Sequence, residues 1–395
     1  MALSLVVLKP RRARPALGRH PWVLDSAIAR IEGHPADGDV VDVLSARGEF
    51  IARGIFNARS RIHVRLYTWD AGQPLDEAFW RCRLERALRL RTELGYGERE
   101  GAARLVFSEG DSLGGLVVDR YADVLVLQVT ALAMAVRLGQ IVPLLAELAR
   151  PRAILARSER DVCRAEGIEP PEPLVWGPAP DPTVVIREAG LLYAVDLAEG
   201  QKTGFYLDQR ENRRVAAGYL AGRTVLDTFC YTGGFGLSAA RGGAQDVLGV
   251  ESSEKALALA RQNARRNGLD RVRFERGEAF ATLQALLAEG RRFGGVVLDP
   301  PRFARNRAGV EEALRAYRRL NALAMQLVEP DGMLVTCSCS GHVGREDFLR
   351  MLQGAAQQAR RDVQVLDQRG AAPDHPVAVA CPETEYLKCS VCRVA

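Results

Sequence analysis

From about residue 205 onward, short apolar runs alternate with helical stretches, and each run closes on polar or acidic residues. The runs are TVLDTF (224–229), VLGVE (247–251), VRFERGE (272–278), GGVVLDPP (294–301) and GMLVTCS (332–338). Runs this short, each separated from the next by enough chain for a helix, predict βαβ units, because neighbouring parallel strands need long crossovers. The expected fold class is α/β, with a doubly wound Rossmann-like sheet over 191–395. PVAVACPE and YLKCSVCRV are expected to add antiparallel strands at one edge. Such a sheet takes ligands beyond the carboxyl ends of its strands, where strand order switches. The residues closing each run are therefore the candidates for function.

A chain of 395 residues exceeds one ordinary core, and two further parts precede that sheet. Residues 1–75 carry the short strands VVDVL (40–44), FIARGIF (50–56) and IHVRLYTW (62–69), which suggest a small β-barrel. Residues 76–190 read as a small α+β domain. It comprises a helix from EAFWRCRLERALRLRTEL, a hairpin turning near 121–123, a helix over 133–149 and the strands ILARSE, VVIREAG and LLYAVDL. The proline-rich EPPEPLVWGPAPDP reads as a stiff connector. Apolar residues over 124–136 would be buried by their own helix or by a second copy in a homodimer.

The 54 basic and 49 acidic residues give a net charge of +5, which permits an anionic partner without demanding one. Eight irregularly spaced cysteines do not form the framework of a small secreted domain. The opening MALSLVVLKPRRARP reverses the order of a signal peptide, and no run of 18 uncharged apolar residues occurs. A reducing cytoplasm and no membrane partner are expected.

The first run continues as Asp227-Thr228-Phe229-Cys230-Tyr231-Thr232-Gly233-Gly234-Phe235-Gly236. Glycines let the backbone approach a ligand closely, but the spacing is not the dinucleotide fingerprint. Asp227 would repel a pyrophosphate there, which disfavours a nicotinamide oxidoreductase. A cofactor with a cationic centre and no phosphate suits it, and S-adenosylmethionine fits that description. Glu251, 24 residues on, suits the ribose hydroxyls or else caps the helix starting ESSEKA. Glu278 suits the adenine amine or else caps the next helix. The loop Gly200-Gln201-Lys202-Thr203-Gly204-Phe205-Tyr206-Leu207-Asp208-Gln209-Arg210 reads as a segment folding across a ligand, with Arg210 and Arg213 open to a plain surface role.

Asp299-Pro300-Pro301-Arg302-Phe303 closes the fourth run, where two prolines stiffen the loop that presents Asp299 and Phe303. TCSCS (336–340) closes the fifth. The pair Cys337 and Cys339 has no spacing partners for a metal, so none is expected, and i,i+2 positions on a strand lie too far apart for a disulfide. Cys337 adjoins the apolar run and suits packing. Cys339, between serines, suits a nucleophile whose acidity the N–H groups of the following helix could raise. A thiol beside a methyl donor suits pyrimidine C5 chemistry, because that carbon becomes nucleophilic only after addition at C6. Asp299 would then stabilise the ring at N3 of a cytosine.

These motifs together resemble the ribosomal RNA large-subunit cytosine-C5 methyltransferases of the RlmI type over nearly the whole chain. Gly18-Arg19-His20-Pro21-Trp22-Val23 is similar to the family's RNA-binding PUA domain. Gly204–Arg210 and Asp227–Gly236 match its cofactor motifs, and Asp299–Phe303 is similar to its substrate loop, with Arg302 where lysine is usual. Ser338-Cys339-Ser340 matches the nucleophile motif, while Asp374–Val377 and Tyr386–Lys388 resemble the C-terminal signature. Glu278 stands where aspartate is usual, and Cys337 is an extra thiol. The resemblance implies cofactor contacts from Phe205, Asp208, Arg210, Asp227, Phe229, Tyr231, Thr232, Gly233, Glu251, Glu278 and Asp299. It implies substrate contacts from Pro300, Pro301 and Phe303, and catalysis by Cys339 and Asp299 on ribosomal RNA. Rival readings are methylation at uracil C5 or guanine N2, and an RNA-binding protein whose enzyme domain is inactive.

Overall fold

The computed structural model describes every residue except 1, 2, 99, 199, 201, 202 and 305. Gln201 and Lys202 of the loop singled out above thus lie outside the described residues. The chain divides into two compact units. The first comprises Met1–Ile186, Val195–Phe205 and Pro373–Thr384; the second comprises Arg187–Ala194, Tyr206–Ala372 and Glu385–Ala395.

In the first unit, strands Trp22–Leu24, Ile62–Thr68, Phe50–Phe56, Val40–Leu44, Ser4–Leu8 and Ile28–Glu32 form a six-stranded sheet in that spatial order. Val41 and Val43, then Val64 and Leu66, alternate into its core, as period-two patterning requires. A second sheet runs Leu174–Trp176, Ala153–Arg157, Val124–Val129, Leu116–Tyr121, Ala102–Phe107. The helix Glu77–Glu93 covers it, started by the Asp76 side chain accepting from Phe79 N–H at 2.9 Å. Two sequence expectations need correction here. The proline-rich connector contains an edge strand, Leu174–Trp176. The helix expected over 133–149 is two, Leu132–Ala135 and Leu138–Ala149. The stretch 124–136 is spent largely inside its own unit, since Val124–Val129 is the middle strand and Leu132–Met134 are buried.

Buried ion pairs tie this unit together. Arg91 clasps Asp111 through two bonds of 2.6 and 2.7 Å, and Arg104 clasps Asp119 at 2.8 and 2.7 Å. Asp374, fully buried, accepts from Arg104 N–H at 2.9 Å, and its carbonyl accepts from Arg91 at 2.7 Å. His20, which has no spacing partner in sequence, meets Cys381 and Glu383, with Nε2 3.2 Å from Glu383. Trp22 N–H points at His20 Nδ1, so the ring proton sits on Nε2 and is donated to Glu383. The group is a tie between distant segments.

The second unit holds the doubly wound sheet. Its strands are β1 (Thr224–Thr228), β2 (Asp246–Glu251), β3 (Val272–Arg276), β4 (Phe293–Leu298), β5 (Val328–Ser338), β6 (Val363–Arg369) and β7 (Lys388–Val394). Its helices are α1 (Arg210–Leu220), α2 (Gly234–Arg241), α3 (Glu254–Arg266), α4 (Ala279–Ala288), α5 (Val310–Leu327) and α6 (Arg345–Ala359). The order is β3-β2-β1-β4-β5-β7-β6, with β7 antiparallel to both neighbours. All six residues of β4 are buried, the continuous apolar run expected of a strand covered on both faces. The antiparallel edge strand is VQVLDQR, whereas PVAVACPE makes only an isolated Ala378–Cys381 bridge. Proline at 376 and 382 removes donors from that segment, and Val379 is 96% exposed.

Candidate active site

Register aligns the strand ends. Thr228 pairs with Val250 and with Leu298, and Leu298 pairs with Thr336. Phe229, Glu251, Asp299 and the TCSCS cysteines therefore leave the same edge of the sheet. Strand order switches between β1 and β4, which sets the ligand crevice beside Asp227 and Asp299.

The turn after β1 is tightly wound: Phe229, Tyr231 and Gly233 have φ of 61, 49 and 88°. Two of these are aromatic residues in the left-handed region, which L side chains rarely adopt, and such strain concentrates at working sites. The turn is pinned by Cys230 N–H to the Val250 carbonyl (3.1 Å) and by Tyr231 N–H to Glu251 Oε2 (3.1 Å). The other Glu251 oxygen accepts from Ser252 and Ser253 N–H at 2.8 and 3.0 Å. Glu251 is thus held facing the turn, while Ser253 caps α3. Asp227 accepts from Gly236 N–H at 2.7 Å. Burial, opposed by that bond and reinforced by Asp299 and Glu251, pushes its carboxyl up to about 8.

Asp299 accepts from Gln209 Nε2 at 2.8 Å, and Gln209 is oriented by Asn212 at 2.7 Å. Tyr206 gathers the rest: its hydroxyl is held neutral first by burial, then by Asp299, Cys339, Asp208 and Tyr231, and its ring meets Tyr231 edge-on at 5.4 Å. The Cys339 thiol donates to the Pro300 carbonyl at 3.9 Å and is partly exposed. Cys337 is fully buried opposite Cys389 on β7, and burial with that second thiol pushes it well above the ordinary thiol range. Of the two thiols, Cys339 is the one at the strand mouth. The helix that follows it begins at Arg345. Pro300 is buried and Pro301 exposed, and the Phe303 ring lies 4.7 Å from Tyr317.

Other expected residues sit elsewhere. Phe205 belongs to the first unit, where it is buried and its N–H donates to the Tyr121 hydroxyl at 3.1 Å. Asp208 is buried and accepts from Tyr386 at 2.6 Å. Glu278 is exposed and makes no cap bond to α4. Arg210 and Arg213 are not surface charges: both bind Glu188, Arg213 through bonds of 2.8 and 2.9 Å. Glu188 and Gln209 were missed as site supports, since an acid in a strand and one glutamine in a loop carry no spacing signal.

An S-adenosylmethionine-dependent methyltransferase model matches residues 116–381, and a PUA-like domain model matches 6–69. Two proteins called ribosomal RNA large subunit methyltransferase I resemble the chain end to end. That of Erwinia tasmaniensis is 39% identical and that of Aeromonas hydrophila 41%, each with both chains covered in full. The chain belongs to the ribosomal RNA large subunit methyltransferase I family. Its fold also matches a methyltransferase from Streptococcus mutans (TM-score 0.85, 19% identity, 99% of this chain and 100% of the other). A second methyltransferase, solved with SAH, has TM-score 0.85 at 20% identity over the same shares.

S-adenosylmethionine is the cofactor of this methyltransferase family, and the residues present fit it. Thr232 Oγ1 is buried with no partner among the described residues, an acceptor-donor awaiting a ligand. A Cβ on Gly236 would stand 3.1 Å from Asp227 Oδ2, a tight contact that glycine avoids. A buried acid as uncomfortable as Asp227 is suited by a cation. No helix is long and apolar enough to cross a membrane among the described residues.

Proposed function

We propose that this protein methylates C5 of a cytosine in 23S ribosomal RNA through a covalent bond between Cys339 and C6. The single observation that carries the reading is the Cys339 sulfur 3.9 Å from the carbonyl of Pro300, next to Asp299. A methyltransferase working on nitrogen would have no use for a thiol there. The names of the full-length relatives support ribosomal RNA as the substrate. In this reading Asp227 and Glu251 hold the cofactor's cationic and ribose ends, with Phe229, Tyr231, Thr232 and Gly233 contributing to its pocket. The cofactor supplies the electrophilic methyl that C5 takes up.

The Cys339 thiolate adds to C6, and the C5–C6 π pair moves toward C5 and N3. Asp299, positioned by Gln209, acts as the acid that donates a proton to N3 as negative charge gathers there, and it takes that proton back once C5 has been methylated. After C5 has been methylated, solvent water takes its proton, the C5–H pair re-forms the C5–C6 double bond, and the bond from C6 to the Cys339 sulfur breaks to release the thiolate. Pro300, Pro301 and Phe303 wall the splayed-out base. Residues 1–75 serve as an RNA-binding domain, 76–190 as a domain lining the RNA path, and 191–395 as the catalytic domain.

The test is nucleoside mass spectrometry of large-subunit RNA incubated with the cofactor and either the wild type or Cys339→Ala. 5-Methylcytidine from the wild type alone supports the reading. 5-Methyluridine, N2-methylguanosine or undiminished product from the alanine variant would sink it. Failure to bind S-adenosylmethionine in a calorimetric titration would mark an inactive, RNA-binding protein instead.

A further inference from the structure

Of 54 basic residues only four are lysines, at 9, 202, 255 and 388. Lys9 and Lys255 are exposed, and Lys388 is the buried lysine among the described residues, 3% accessible. Register sets its place. Lys388 opens β7 opposite Ser338, the residue that ends β5 and precedes Cys339. Its Nζ donates to the Ser340 carbonyl at 2.7 Å and to the Tyr386 carbonyl at 2.8 Å. Two of its three N–H bonds are thus used, one on the residue that follows Cys339. We propose that Lys388 is a positioning residue for the nucleophile, its ammonium holding the Cys339 sulfur in the anionic form that attacks.

The surroundings support this division of labour. The Cys339 and Glu385 charges favour the Lys388 ammonium, while Arg345 and Arg302 oppose it. Burial outweighs them and brings the amine down to about 8, close to the ordinary thiol value of about 8.5. The amine therefore remains largely protonated at pH 7, fixed on the carbonyl of the residue that follows Cys339. Tyr206 and Tyr317 also face Cys339, both pushed upward and neutral, so neither stabilises an anion by charge, while Asp299, which bears on the same Tyr206 hydroxyl, opposes one. When the thiolate is expelled at the end of the reaction, the same ammonium receives it.

The inference rests on Cys339 being the nucleophile, but thiol acidity is measurable without methylation. Cys82 is the exposed cysteine among the eight, so the experiment uses a Cys82→Ser background. Iodoacetamide labelling of Cys339 in the full chain is followed by peptide mass spectrometry from pH 6 to 10. Lys388→Met should slow labelling at pH 7 about tenfold, the equivalent of one pKa unit, with rates converging at high pH. Lys388→Arg should restore the wild-type profile at neutral pH. An unmoved profile in the Met variant, or a Met-like profile in the Arg variant, overturns the proposal. If the Met variant fails to unfold cooperatively, the reciprocal measurement decides: in 13C-lysine NMR, Cys339→Ser must lower the Lys388 pKa, and an unchanged value overturns it. A shifted labelling profile alongside retained methylation by Cys339→Ala would instead refute the covalent reading and leave the ion pair standing.

Discussion

Asp227→Asn should make the protein without cofactor more stable while destroying its grip on the cofactor. Asp227 is 1% exposed, and its carboxyl lies near 8 against an ordinary 3.8. A folded value above the unfolded one means the folded state prefers the neutral acid. Stability is therefore fully present below 3.8, falls as pH rises and levels off above about 8. At about 1.4 kcal/mol per unit, the roughly 3-unit gap between 3.8 and pH 7 amounts to about 4 kcal/mol, and relaxation of the site leaves about half of that. Asparagine keeps an oxygen to accept the Gly236 N–H and never ionises. In a domain of this size about 2 kcal/mol corresponds to a Tm shift of about 4–8 °C. Thermal unfolding of both proteins without cofactor at pH 5, 7 and 8.5 reads the effect as a Tm difference that widens with pH. S-adenosylmethionine should then raise Tm for the wild type alone. A difference that stays flat across pH, or equal stabilisation of both by the cofactor, would refute the reasoning.

Three smaller perturbations probe the rest of the site. Gln209→Ala frees Asp299 and should lower kcat about tenfold or more with little change in cofactor affinity, read by steady-state kinetics and calorimetry. Glu251→Ala removes the acceptor that pins Tyr231 N–H and should weaken cofactor binding by about 10–100-fold, from the loss of charge-assisted bonds at about 1.5–3 kcal/mol. Cys337→Ser buries a hydroxyl opposite Cys389 and should cost about 1–3 kcal/mol of stability while methylation by the folded protein persists; complete loss of turnover in a folded variant would contradict the assignment of Cys339.

The fold of the catalytic unit was legible because five apolar runs end where parallel strands end, and the run closers Asp227, Glu251 and Asp299 do leave one edge of the sheet. Which of the two thiols is buried was legible too, since Cys337 adjoins the apolar run and Cys339 does not. Pairing across long loops was not. Val363–Arg369 is a partly exposed edge strand of mixed polarity, so periodicity passes over it in favour of the more apolar PVAVACPE, whose prolines deny it a ladder. His20 looked isolated because its partners come 361 and 363 residues later. Glu188 meets Arg210 and Arg213 only through tertiary placement, and nothing in its local sequence announces it.

The first unit takes back the segment Pro373–Thr384 after the whole sheet of β1 to β6 has been made. A fragment ended before residue 373 would keep Arg91 and Arg104 but not the aspartate that receives both. Gene fusion and domain exchange could not lift this front half out cleanly. The two units must be inherited, and synthesised, as one interleaved piece.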